Sequence, residues 1–142
     1  MKHAVAIWTG DCESAEALDE YTNGTYDEEG EYVRSDFMKD TGIEWLDMDF
    51  MEIHYIQDEQ GLKELLEYLR HDYSQDEAFR NQLPPEMDQA LAAGNAVILL
   101  YGNDSLYGPV NEFLLRSTDA DFSGEAAAFT IQTLVRYETP EK

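Results

Sequence analysis

Two stretches concentrate the side chains able to do chemistry. Tyr26-Asp27-Glu28-Glu29-Gly30-Glu31-Tyr32 sets four carboxylates between two tyrosines, and Glu44-Trp45-Leu46-Asp47-Met48-Asp49 alternates carboxylates with large apolar groups. Carboxylates at this density can coordinate a cation, share a proton as general acid and base, or pair with a positively charged surface. Each use makes demands on the neighbouring residues.

The recognised patterns for metal binding and catalysis are not matched. Counting back from Gly24 or Gly30 fails to place acids at the first, third and fifth positions of a calcium loop with a glutamate at the twelfth. The stretch therefore reads as a solvated acidic loop. His3, His54 and His71 fall in different elements, none at a metal-ligand spacing. Cys12 precedes a predicted helix, but Asp11 and Glu13 flank it and raise the thiol pKa, which disfavours a nucleophile. Gly102 and Gly108 follow an apolar run as phosphate loops do, yet no lysine stands nearby and Asp104 repels phosphate. So many carboxylates leave no pair singled out as acid and base. The expectation is a protein that is not an enzyme, with no catalytic residue, no metal and no cofactor.

Binding to a basic partner remains. The chain of 142 residues carries 31 acidic against 9 basic side chains, a net charge of −22. Such a chain is repelled by nucleic acid and by anionic lipid, and it attracts basic proteins with an on-rate that falls as salt rises. Solubility or adaptation to high salt is the plain alternative for the charge. With 43% hydrophobic residues the chain can build one core, so residues 1–142 read as a single domain. One cysteine and the lack of a long apolar run at the start point to a cytoplasmic protein that does not enter a membrane.

The elements that must position the acidic stretches are legible from periodicity. Ala4 to Thr9 reads as a buried strand, followed by a helix capped by Ser14 with Ala15, Leu18 and Tyr21 on one face and a stop at Asn23-Gly24. Ser35 caps a short helix that Thr41-Gly42 ends. Met51 to Ile56 alternates as a strand, with Met51, Ile53 and Tyr55 facing opposite to Glu52, His54 and Ile56. Between them, Ile43 to Phe50 follows neither period.

Leu62, Leu65, Leu66 and Leu69 give an uninterrupted helical stripe opened by Gln57 or Asp58. A short helix is expected over Asp76 to Gln82, a break at Pro84-Pro85, and another helix with Met87, Ala90, Leu91 and Ala92 inward and Gly94 as its stop. Ala96 to Tyr101 is continuously apolar and belongs at the centre of the sheet. Gly102 to Pro109 is a turn-rich connection, Val110 to Arg116 an extended segment or strand, and Asp119 to Gly124 an acidic turn. Ala127 to Tyr137 alternates Phe129, Ile131, Thr133, Val135 and Tyr137 against a mostly wet face that includes Leu134, and Thr139 to Lys142 forms a tail. The fold class is α+β: a mixed or mainly antiparallel sheet of about four to five strands against three to four helices.

Several of these pieces occur in a familiar order. The strand ending Ile7-Trp8-Thr9-Gly10, the helix ending Leu18-Asp19-Glu20-Tyr21, the acidic loop from Tyr26 to Gly30, and Ser35-Asp36-Phe37-Met38-Lys39-Asp40-Thr41-Gly42-Ile43-Glu44-Trp45 followed by Asp47-Met48-Asp49-Phe50 resemble the immunity protein 22 family of bacterial polymorphic toxin systems. The resemblance covers roughly the first sixty residues. It implies a cytoplasmic α+β protein that neutralises a cognate toxin by binding it.

A basic toxin, above all a nuclease, then gives the charge a use, since a nuclease carries cations for its phosphate substrate. The expected partner-binding residues are Tyr26, Asp27, Glu28, Glu29, Glu31, Tyr32, Glu44, Trp45, Asp47 and Asp49. Tryptophans are mostly buried, so Trp45 is also a candidate for the core, beside Phe37, Ile43, Phe50, Ile53 and Tyr55. Other readings of the same residues are an acidic adaptor or DNA mimic for another basic protein, and a small-molecule or metal-binding α+β domain. Crowded carboxylates further predict a fold that gains stability in mild acid or with added salt. The residues alone leave the oligomeric state open.

Overall fold

The apolar runs near the N-terminus and after Asn95 form the two inner strands of a four-stranded antiparallel sheet. A computed structural model describes residues 1–73, 77–83, 85–92, 94–122 and 129–140. Its strands in chain order are β1 (Lys2–Gly10), β2 (Thr25–Tyr26), β3 (Tyr32–Val33), β4 (Met51–Tyr55), β5 (Ala96–Asn103) and β6 (Phe129–Glu138). Its α-helices are α1 (Ala15–Thr22), α2 (Asp36–Thr41), α3 (Glu59–Glu67), α4 (Glu77–Gln82) and α5 (Met87–Ala92). The large sheet runs β4-β5-β1-β6, and β2 with β3 makes a separate hairpin. The fold is α+β, and the sheet is antiparallel throughout.

Both faces of the sheet are covered. Ala4, Ala6, Trp8, Ala96, Ile98 and Leu100 point into one core, closed by Leu18 of α1, Phe37 and Met38 of α2, and Ile43 and Leu46 beyond it. Val5, Ile7, Val97 and Leu99 point into the other, closed by Leu65 of α3, Leu69, Phe79 of α4, and Met87 and Leu91 of α5. Alternation along each strand sends neighbours to opposite cores, so continuous apolar runs are what these two strands require.

Strand β6 departs from strict alternation and from the expected wet face. Ile7 stands opposite Thr133 but Trp8 stands opposite Ile131, so Gln132 is an extra residue, a β-bulge. Parity changes there: Phe129 and Ile131 belong to the first core, whereas Val135 and Tyr137 belong to the second, and Leu134 packs inward on the first. Gln132 Nε2 donates to Thr9 Oγ1 at 2.8 Å, which uses the bulged side chain.

The helix termini follow the expected capping chemistry. Ser14 and Ser35 accept from the N–H groups of Ala17 and Met38, each at 3.1 Å, and Asp58 accepts from Gly61 at 2.8 Å. Gly42 ends α2 with φ 78°, a left-handed conformation that glycine adopts without strain. Tyr21 Oη donates to Asp40 Oδ2 at 2.6 Å and ties α1 to α2. Burial first, then this carboxylate, pushes the Tyr21 phenol above its ordinary pKa. After α3, Tyr73 N–H donates to Tyr68 O at 2.7 Å, closing a π-helical turn over Tyr68–Asp72 that carries Leu69 into the core.

Other expectations need correction. Val110 makes an isolated bridge with Asn103, and the residues beyond it form a 3-10 helix, Glu112–Arg116, in place of a strand. The cause is Asn111, whose φ of 40° and ψ of 46° turn the chain out of extended geometry. Ala15 and Ala92 are exposed rather than inward, and Phe50 is 42% exposed rather than core. Asp119–Phe122 is a short 3-10 turn. The expected starts of the helix at Asp76 and of the last strand at Ala127, the break at Pro84, and the positions of Gly124 and Lys142 lie outside the described residues.

Asn95, just before β5, replaces a missing strand partner. Its Oδ1 accepts Cys12 N–H and its Nδ2 donates to Cys12 O, both at 2.8 Å, while its own N–H donates to Gly10 O and its carbonyl accepts Ile56 N–H. Asn95→Ala leaves both Cys12 backbone groups without these partners in a partly buried site. We expect a loss of about 1–3 kcal/mol, read as a lower urea midpoint with an unchanged slope; an unchanged midpoint would show that water replaces the side chain.

Candidate functional site

The acidic loop is a structured hairpin. Asp27 Oδ1 accepts the N–H groups of Glu29 and Glu31, each at 2.9 Å, and Asp27 N–H donates to Glu31 O at 2.9 Å. Asp27 thus organises the turn that presents Glu28, Glu29 and Glu31, all exposed. Tyr26 and Tyr32 meet edge to face across the hairpin, with centroids 5.7 Å apart, and are 73% and 46% exposed. Tyr32 lies against Gly24, where any side chain would overlap its ring, and its hydroxyl reaches Met38 Sδ at 3.6 Å. The hairpin is thereby fixed to α2.

The second acidic stretch follows α2 on the same side of the sheet. Ile43 and Leu46 are buried, while Glu44 and Trp45 between them are exposed, Trp45 at 66%. This pattern excludes Trp45 from the core. Asp47 caps a 3-10 turn, Met48–Phe50, by accepting Asp49 N–H at 3.0 Å, which leaves the Asp49 carboxylate exposed. Arg34 Nη1 donates to Ile43 O at 3.3 Å and links the end of the hairpin to this stretch.

Sequence reasoning missed the residue that holds it. Asn111 is 2% exposed; its Oδ1 accepts Asp47 N–H at 2.6 Å, and its Nδ2 donates to Asp47 O at 3.2 Å and to Tyr101 O at 2.9 Å. A side-chain amide thus pairs with the Asp47 backbone as a neighbouring strand would. The lone signal was an asparagine after Pro109-Val110, a turn former in a segment whose sequence reads as extended.

A cleft of about 240 Å³ adjoins Asp49 and Phe50 and is lined by Glu52, Tyr73, Tyr101 and Tyr137 as well. Glu52 accepts from Tyr68 Oη at 2.7 Å, and His54 Nε2 stands 3.5 Å from the same carboxylate without a hydrogen bond. The nearby imidazole and then the Tyr68 hydroxyl hold the Glu52 carboxyl below its usual range, against the opposing effect of burial. Burial, with Glu52 beside it, pushes the Tyr68 phenol up to about 12 and raises Tyr73 further. Cys12 also has a raised pKa, through burial first and Asp11 second, as its neighbours in the sequence predict for Asp11.

Among the described residues no three His, Cys, Asp or Glu side chains converge to hold a metal ion. Among them, too, Arg116 with Glu112 at 3.3 Å is the one ion pair that a lysine or arginine makes. No helix there is long and apolar enough to cross a membrane.

The model of the family described as Immunity protein 22 matches residues 5–126. The chain belongs to the immunity protein 22 family. The match extends well past the first sixty residues on which the resemblance rests, and takes in α3, α5, β5 and the Asn111 turn. No curated protein and no solved structure matches the chain. Membership implies neutralisation of a cognate toxin, and immunity proteins are typically non-catalytic inhibitors.

Two outcomes follow from the site. A carboxyl held below its unfolded pKa, near 4.3 for glutamate, adds stability above that value and loses it as pH falls through the folded pKa. Glu52 therefore works against the expected gain in mild acid, and Glu52→Gln should flatten the fall in melting temperature below about pH 4.3; identical acid limbs would remove Glu52 from that transition. Added salt at neutral pH should raise the melting temperature, because the excess negative charge is screened.

Proposed function

We propose that the chain neutralises its toxin by covering a basic surface on it, and that the toxin is a nuclease whose phosphate-binding cations attract the acidic hairpin and the Glu44–Asp49 stretch. Trp45 is the observation that carries this reading. A large aromatic side chain held two-thirds exposed at 66%, between buried Ile43 and Leu46 and beside the Glu44 carboxylate, has no role in the core. Such residues anchor interfaces, and the surrounding carboxylates supply steering and register.

Tyr26 and Tyr32 add aromatic surface on the same side of the sheet. The side chains of Glu28, Glu29, Glu31 and Glu44 make no hydrogen bond or ion pair among the described residues, so a cationic partner meets them without first breaking a contact. Asp27 and Asp47 act one step back, by shaping the turns that present the others.

The test is binding to the basic product of a toxin gene beside the gene for this chain. Association should be fast at low salt and slow markedly as salt rises. Trp45→Ala, at an exposed position, should weaken binding by about 2 kcal/mol, roughly 30-fold, with the fold intact by circular dichroism. Asp47→Asn combined with Asp49→Asn should slow association; unchanged kinetics would take that pair out of the interface, and salt-independent association would overturn the charge-driven reading.

A further inference from the structure

The cleft beside Asp49 has the chemistry of a cation receptor. It is lined by the aromatic residues Phe50, Tyr73, Tyr101 and Tyr137 and by the acidic residues Asp49 and Glu52, and no lysine or arginine lines it among the described residues. Ring faces carry negative potential, and a cation held against them is favoured further where carboxylates complete the shell. An anion is repelled by the same groups. An apolar guest would take water from the two carboxylates and give nothing in return.

The site is also pre-shaped. Tyr101 Oη is held by the His3 ring at 2.6 Å and by Asn103 Nδ2 at 3.1 Å, which fixes the ring that forms one wall. Phe50 is tilted 36° to Tyr101 with centroids 6.1 Å apart, so the two rings meet at the cleft. Tyr68 fixes Glu52 by its 2.7 Å hydrogen bond, and the 3-10 turn capped by Asp47 fixes the backbone of Asp49 beside the cleft. The exposure of Phe50, an apolar ring at the rim of a polar cleft, is otherwise unaccounted for.

We propose that this cleft receives a guanidinium group, the side chain of an arginine on the toxin. The inference deepens the reading of the partner as a basic protein and rests on it. Arginine suits the cleft better than lysine, because its planar group stacks on a ring face, offers several donors in a fork to two carboxylates, and is more weakly hydrated than an ammonium. The held Glu52 carboxylate and Tyr101 ring spare the partner the cost of ordering them.

The probe is N-acetyl-arginine amide, titrated into the full chain and followed by NMR of the aromatic rings, with the neutral isostere N-acetyl-citrulline amide alongside. Saturable shifts at Phe50, Tyr73 and Tyr101 with the arginine compound alone, weakened tenfold or more by Glu52→Gln and by Phe50→Ala, support the assignment. Phe50 is exposed, so its variant keeps the fold and guards against a trivial loss through Glu52. Equal shifts from both compounds, or shifts spread over the surface without these rings, overturn it. In the toxin complex the same two variants should raise the off-rate at least tenfold. A toxin that binds fast at low salt but is indifferent to both variants overturns the arginine assignment and leaves the charge-driven reading standing. An arginine amide that fills the cleft while no basic toxin binds retains the receptor and overturns the proposed function.

Discussion

Every side chain from Ala4 to Trp8 and from Ala96 to Leu100 is buried, and the rest of the molecule is built around that fact. Two neighbouring strands with apolar groups on both faces demand a layer on each side, which is why α1 and α2 close one core while α3, α4 and α5 close the other. Carboxylates are expelled to the outer shell because none can be buried unpaired at tolerable cost. The bulge at Gln132 belongs to the same constraint. It lets a single edge strand contribute Phe129 and Ile131 to one core and Val135 and Tyr137 to the other.

In the outer shell, aspartate and glutamate part company. Asp27, Asp47, Asp58, Asp104 and Asp121 each accept a backbone N–H, respectively from Glu29 and Glu31, Asp49, Gly61, Lys2, and Thr118. The short side chain reaches the adjacent backbone and satisfies donors that turns leave open. Glutamate is one methylene longer and mostly reaches outward. The acidic composition therefore performs two tasks, and charge alone does not separate them.

How much could be read from the sequence depended on how local the cause was. The caps at Ser14, Ser35 and Asp58, the leucine stripe of α3 and the two inner strands follow from neighbours within a few residues, and all were legible. Ile43 to Phe50 had no period because it is held from 64 residues away by the Asn111 side chain. The cleft was invisible for the same reason: Glu52, Tyr73, Tyr101 and Tyr137 come from β4, the end of the π-helical turn, β5 and β6. Phe50 went wrong on a general truth, that large rings are usually inside, and the same truth left Trp45 open between core and surface until its exposure was seen.

The division between aspartate and glutamate bears on how such a protein changes over generations. Under the proposed mode of binding, a toxin that alters its surface can be followed by replacing Glu28, Glu29, Glu31 or Glu44, because exposed substitutions of this kind shift stability by no more than about 0.5 kcal/mol. The aspartates that shape the turns do not share that freedom, since each holds a backbone donor. A fixed scaffold and freely replaceable carboxylates thus sit on adjacent residues, and the acidic surface can be rewritten without passing through an unfolded ancestor.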